Sequence, residues 1–244
     1  MMTASINVNL WHTPDVTDTS IDLATDAIEE LADELDTNWV HAHHGEYTGD
    51  TPHDTYAEYL NEFEDEVNHY NGEHSLLLYV RSFTDDGGDT SSWPNLGGSR
   101  SMYVYNDPCY SIANANIRQT SLSSAGNFFG IAGSIITQSR LNQIYKNMVK
   151  HELLHSMLDE DPPHSDIPDE GEDHSYGGIV SPGLENRATP MVTGYVEPEL
   201  SNEAPDEICT GDPDSVWDSV SNWEGTPSSC TQAEGQRWLS EEYI

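Results

Sequence analysis

The stretch His151-Glu152-Leu153-Leu154-His155 decides how this chain is read. It lies in a segment, Ser134 to Leu158, where Leu141, Ile144, Tyr145, Met148 and Val149 recur at the spacing of a helix with one buried face. Residues four apart on a helix differ by about 40° around its axis, so His151 and His155 project side by side. Two imidazoles one turn apart can share one zinc ion at about 2.0–2.1 Å. Glu152 lies about 100° further round, close enough to hold a water there without being a ligand. A pair of solvated histidines with no metal is the bland alternative. The full five-residue pattern on a helix with an apolar face behind it argues for the metal site.

Upstream of this helix the chain alternates between strand and helix patterns. Ser5 to Trp11 alternates polar and apolar, the mark of a strand with one buried face. Thr17 to Asp36 reads as a helix with Ile21, Ala24, Ile28, Leu31 and Leu35 on one stripe, capped by Asp18, Thr19 or Ser20. Asn38 to His43 is a short second strand. Its histidines, His41 and His43 with the neighbouring His44, read as residues of a surface strand rather than as ligands. His53 to Tyr70 is a second helix, and the aromatic stripe through Tyr56, Tyr59 and Phe63 is core packing. Ser75 to Phe83 is the most strongly buried strand candidate. Asp85 to Gly98 is loop, Ser101 to Tyr105 another strand, and Ser111 to Gly133 loop with short elements. This order predicts an α+β domain, α/β-like in its sequence of elements, with a mixed, twisted sheet over the central helix. Asp159 to Gly178 is an acidic loop, and a short helix is expected over Thr231 to Ile244.

Composition narrows the function classes. The 244 residues carry 44 acidic and 8 basic side chains, a formal net charge of −36. Eight cations cannot neutralise a phosphate track, which excludes nucleic-acid binding through a basic face. No stretch approaches the roughly 20 apolar residues of a membrane span, so no membrane insertion is expected. The 6 Trp, 12 Tyr and 4 Phe argue for a folded core despite the charge. At molar salt the Debye length falls to about 3 Å and distant carboxylates stop repelling, so the lysine-poor, acid-covered surface suits concentrated salt, as in extreme halophiles. Acidic clusters such as Asp85-Asp86 and Asp212 to Asp214 are expected in such a chain without any calcium site. Of the three cysteines, Cys209 and Cys230 are candidates for a disulfide. Met1 to Leu10 has neither the basic region nor the apolar core of a signal peptide, yet an extracellular or virion-associated location is the expectation.

The motif and the residues after it resemble the metzincin zinc endopeptidases. In that family a glycine follows the second histidine by three residues and a third histidine comes three later. Here those positions are Leu158 and Asp161. The family glycine turns the chain in the left-handed region, where leucine is disfavoured. If the helix continued instead, Asp161 would point about 240° away from His155, and the first obligatory break would be Pro162-Pro163. A third ligand is therefore sought later in the chain. His174, followed by Tyr176-Gly177-Gly178, leads; His164 and Asp161 come next. Asp173 is a fourth candidate, because Asp173-x-x-Tyr176-Gly177 also looks like part of the aspzincin motif, without its preceding Gly-Thr.

The second point of resemblance is Thr189-Pro190-Met191-Val192-Thr193-Gly194-Tyr195. Met191 matches the family's methionine turn beneath the metal, and Tyr195 matches loosely a tyrosine that approaches the oxyanion. The resemblance covers Ser139 to Tyr195 by motif and Ser5 to Tyr105 by element order. It implies a catalytic domain over 1–197 with an acidic extension, 198–244, packed on it. It further implies a zinc-dependent metalloendopeptidase acting on protein or peptide substrates. Zinc would be held by His151, His155 and His174, with Glu152 as general base and Tyr195 at the oxyanion. An extended substrate would add to a sheet edge such as Ser101 to Tyr105. The competing expectation is a structural or adhesion protein, for example virion-associated, that keeps the metal site with narrow or no proteolytic activity.

Overall fold

Strand β1 (Ser5–His12) has two faces: Val8 and Leu10 are buried on one, while Asn9 and Trp11 lie on the other. It leads into helix α1 (Asp18–Glu34), strand β2 (Asn38–Glu46), helix α2 (Tyr56–Glu66) and strand β3 (Glu73–Tyr79). Strands β4 (Gly97–Arg100) and β5 (Cys109–Asn114) follow, then a short helix α3 (Asn116–Gln119) and the long helix α4 (Gln138–Leu154). Three two-residue strands, β6 (Ile179–Val180), β7 (Arg187–Ala188) and β8 (Asn222–Trp223), precede helix α5 (Ser229–Glu241). The computed structural model describes residues 5–49, 55–67, 73–80, 97–100, 109–119, 137–158, 179–180, 187–191, 222–223 and 225–241.

The main sheet has the order β2-β1-β3-β5-β4. The first four strands pair in parallel, and β4 joins antiparallel to β5 at one edge. Both faces are covered, which is why β3 and β5 are buried almost from end to end. On one face Val8, Leu10, Leu76, Leu78 and Ala113 pack with the buried stripes of α1 and α4. On the other, Leu77, Tyr79, Tyr110 and Ile112 pack with Tyr59, Leu60 and Phe63 of α2, including an edge-on contact of Tyr59 with Tyr79 at 5.5 Å. The result is a mixed α/β sandwich with α4 as a central helix against the sheet. No helix among the described residues is long and apolar enough to cross a membrane.

Three expectations change. Ser111 to Gly133 does not begin as loop: Cys109–Asn114 is a central strand with every residue buried. Its polar Ser111 and Asn114 hid the strand from pattern reading, because a doubly covered strand need not alternate. Second, the N-cap of α1 is Thr17, one residue before the named candidates. The Thr17 N–H is bonded at 2.9 Å by the Gln119 side-chain oxygen, reaching across from α3. Third, the described edge strand is β4, whose Gly97 and Gly98 fall in the segment read as loop; Ser101 to Tyr105 lies outside the described residues.

The two helices on the α4 face are joined by charge. Lys146 and Lys150 are the only lysines in the chain, and both lie on α4. Lys146 pairs with Glu30 of α1; Lys150, fully buried, reaches Glu34 at 3.1 Å and Glu30 at 3.2 Å. Burial pushes the Glu30 carboxyl up, but the two ammonium groups outweigh it and hold it below the usual carboxylate value. Lys150 Nζ also donates to the Gly225 carbonyl at 2.6 Å, tying the C-terminal segment to α4. Helix α5 packs on the same core through Leu239. At Gly235 an added Cβ would stand 3.0 Å from Leu35 Cδ2, so the absent side chain sets how closely α5 approaches the end of α1.

Candidate metal centre

Helix α4 starts at Thr137, whose side-chain oxygen accepts from the Arg140 N–H, and its buried stripe carries the chain to His151, Glu152 and His155. The helix ends at Leu154, with His155 as its C-cap. Among the described residues, no left-handed residue makes the exit. Ser156 and Met157 bond back three residues, to Leu153 and Leu154, in a tightened last turn. Leu158 tucks into the core, and the described non-glycine residue with positive φ is Asp36. The chain therefore leaves the helix well before Pro162-Pro163 and without the glycine.

His151 and His155 face each other. Their Nε2 atoms lie 3.0 Å apart, with ring centroids at 4.6 Å and planes at 88°. His151 is 6% exposed; its Nδ1 lies 2.7 Å from the Pro190 carbonyl oxygen. A carbonyl only accepts, so Nδ1 carries the hydrogen and the neutral ring presents a lone pair at Nε2. A carbonyl on the far nitrogen of a histidine is the usual way a ligating ring is oriented. Two imidazole nitrogens this close can both stand about 2.0–2.1 Å from a common ion, so the pair fits two of the positions around a zinc ion. Glu152, between them in sequence, is also buried.

Beneath the pair, Thr189, Pro190 and Met191 are buried, with a turn at Pro190 and Met191. Met191 is fully covered and belongs to the same core as Met148, Leu153, Leu154 and Met157. Its packing lays the Pro190 carbonyl against His151. That carbonyl has no side-chain signature, so sequence reading found the methionine and missed the group that touches the ring.

The structure thus brings His151 and His155 together and sets His151 against the turn at Pro190 and Met191, with Glu152 buried on the same turn of α4. The further candidates His174, His164, Asp161 and Asp173 lie outside the described residues, as does Tyr195. Among the described residues no group of three or more His, Cys, Asp or Glu side chains is placed to hold a metal. His44 is exposed at the end of β2, stacked on Trp11 at 5.0 Å and bonded to Asn9 at 3.1 Å. The side chains of His41 and His43 lie outside the described set, as do Cys209 and the side chain of Cys230; Cys109 is buried and forms no disulfide.

No protein-family model and no curated protein matches this chain. Among solved structures, it is similar to a zinc-dependent peptidase from Methanocorpusculum labreanum, with 13% identity over 62% of this chain and 80% of that one, at a TM-score of 0.34. It is also similar to metalloproteinase-II from Bacteroides fragilis, with 14% identity over 64% of this chain and 44% of that one, at a TM-score of 0.39. The match thus spans less than half of the Bacteroides protein.

Proposed function

We propose that this chain is a zinc-dependent metalloendopeptidase of metzincin-like design, hydrolysing peptide bonds in concentrated salt. The observation that carries the reading is the 3.0 Å approach of the His151 and His155 Nε2 atoms, with the His151 tautomer held by the Pro190 carbonyl. His174 completes the ligand set in this reading, ahead of His164, Asp161 and Asp173. When bound, the ion supplies Lewis acidity, drawing charge from the scissile carbonyl and making a nearby water easier to deprotonate. The chain's own residues do the rest. Glu152 accepts a proton from the attacking water at its carboxylate and returns it to the leaving amine. Tyr195 donates a hydrogen bond to the oxyanion. The outer strand β4 offers an antiparallel edge where an extended peptide can add. The acidic surface keeps the enzyme soluble in brine.

The test is cleavage of casein or a peptide library in concentrated salt by zinc-loaded wild type and Glu152→Gln. Wild type is expected to cut, and Glu152→Gln to bind the same zinc while losing about 100- to 10,000-fold or more in rate. Equal cutting by both sinks Glu152 as the base. If both bind one zinc and neither cuts, the metal site is structural and the adhesion reading replaces this one.

A further inference from the structure

The last turn of α4 is held from the sheet as well as from within. A helix leaves its last four carbonyls without ordinary intrahelical partners. Here His151 O accepts from the His155 N–H at 3.2 Å, Leu153 O from the Ser156 N–H at 3.2 Å, and Leu154 O from the Met157 N–H at 2.8 Å. A continuing helix would have given the Ser156 N–H to Glu152. Instead the Glu152 carbonyl accepts from the Ser111 hydroxyl of β5 at 2.9 Å. The Ser156 hydroxyl donates to Leu153 O at 2.6 Å. Between these two hydroxyls sits His74 of β3, only 3% exposed, with Nε2 2.9 Å from Ser111 Oγ and Nδ1 3.1 Å from Ser156 Oγ.

Counting hydrogens gives this cluster a direction. Each serine has a single hydroxyl hydrogen. With Ser111's hydrogen on the Glu152 carbonyl, Ser111 can only accept from the ring, so His74 Nε2 carries a proton. The Leu153 carbonyl also has the Ser156 N–H. Opposite an unprotonated Nδ1 the Ser156 hydroxyl turns its hydrogen from the Leu153 carbonyl to the ring, and that carbonyl keeps the Ser156 N–H. The neutral Nε2–H ring satisfies the chain His74, Ser111, Glu152 at small cost. The opposite tautomer takes the Ser111 hydrogen away from Glu152.

We propose that His74 is a positioning residue for the metal centre. Through Ser111 it holds the main chain at Glu152, and through Ser156 it holds the main chain beside His155. The two ends of the catalytic turn are thereby set against β3 and β5 and kept at the spacing that brings the two Nε2 atoms together. This assignment rests on the metallopeptidase reading above, and it names residues that the motif does not contain.

The experiment measures zinc affinity in concentrated KCl by competition with a chromophoric chelator, and the visible spectrum of the cobalt(II)-loaded protein, with folding followed by circular dichroism. Glutamine places its amide nitrogen near the reach of Nε2; asparagine places its own near Nδ1. His74→Gln is expected to stay within about threefold of wild-type affinity and to keep its cobalt spectrum, whereas His74→Asn, His74→Leu and Ser111→Ala weaken zinc about tenfold or more and alter that spectrum. Ser111→Ala combined with His74→Leu should add little to either alone, because both cut one chain of contacts. A packing role alone would not separate Gln from Asn in this way. If the His74 variants do not fold, Ser111→Ala, which removes one oxygen, decides. Wild type binding zinc with Ser111→Ala binding it equally well, or Gln and Asn losing the same amount, overturns the positioning role only. A wild type that binds no zinc overturns the metallopeptidase reading and this assignment with it.

Discussion

Lys150→Met keeps the length of a fully buried side chain and removes its charge. In the native protein Nζ lies 3.1 and 3.2 Å from the two Glu34 oxygens, 3.2 Å from Glu30 and 2.6 Å from the Gly225 carbonyl. Removing one partner of a fully buried pair costs about 3–5 kcal/mol. Here the carboxylates keep some water, their side chains being 19% and 45% exposed, and they can turn outward. The expected loss is therefore nearer about 2–3 kcal/mol. For a chain of this length, each kcal/mol moves the midpoint by about 2–4 °C, so the variant should melt about 4–12 °C lower. Lys146→Met is the control. Its ion pair is with the half-exposed Glu30, so it should cost less than about 1 kcal/mol. At molar salt, where the Debye length is about 3 Å, even that should fade, while the Lys150 cost persists. The assay is thermal unfolding by circular dichroism across a KCl series at fixed pH. Equal costs for the two lysines, or a Lys150 penalty that vanishes as salt rises, would refute the reasoning that burial separates them.

Met191→Ala should cost about 2–5 kcal/mol by urea unfolding and weaken zinc as well, since the Pro190 carbonyl loses its support; Met191→Leu should cost less than about 1.5 kcal/mol. The lowered Glu30 value means that its stabilisation is present above the ordinary carboxylate range and is lost as pH falls through the folded value. Glu30→Gln should accordingly show a flatter decline between about pH 6 and pH 3, and an unchanged decline would show that Glu30 is not linked to stability. Zinc added to metal-free protein at about a thousand times its Kd should raise stability by about 4 kcal/mol, reversibly with chelator; no rise would remove the metal site.

Periodicity alone marked α4 because its core face is contiguous in sequence, and the four-residue spacing put His151 and His155 on one side of it. The same logic found β1, α1 and α2 to within a few residues, since each is amphipathic and reports its own face. It failed at β5, a strand covered on both faces, where Ser111 is acceptable because its hydroxyl is bonded to the helix rather than because it faces water. It was also silent on why α4 carries the only two lysines, which are matched to α1 carboxylates 116 residues away in sequence.

Local order along the chain was enough to determine that a helix would present two imidazoles to one point. What surrounds that point was decided by tertiary structure. The carbonyl that orients His151 comes from 39 residues downstream, the hydroxyl on the Glu152 carbonyl from 41 upstream, and the ring linking both serines from 82 residues before Ser156. Each of these contacts ends on a main-chain group or an ordinary serine. Such groups carry no pattern of their own, and only the register of β3 beside β5, with α4 laid across them, makes them neighbours.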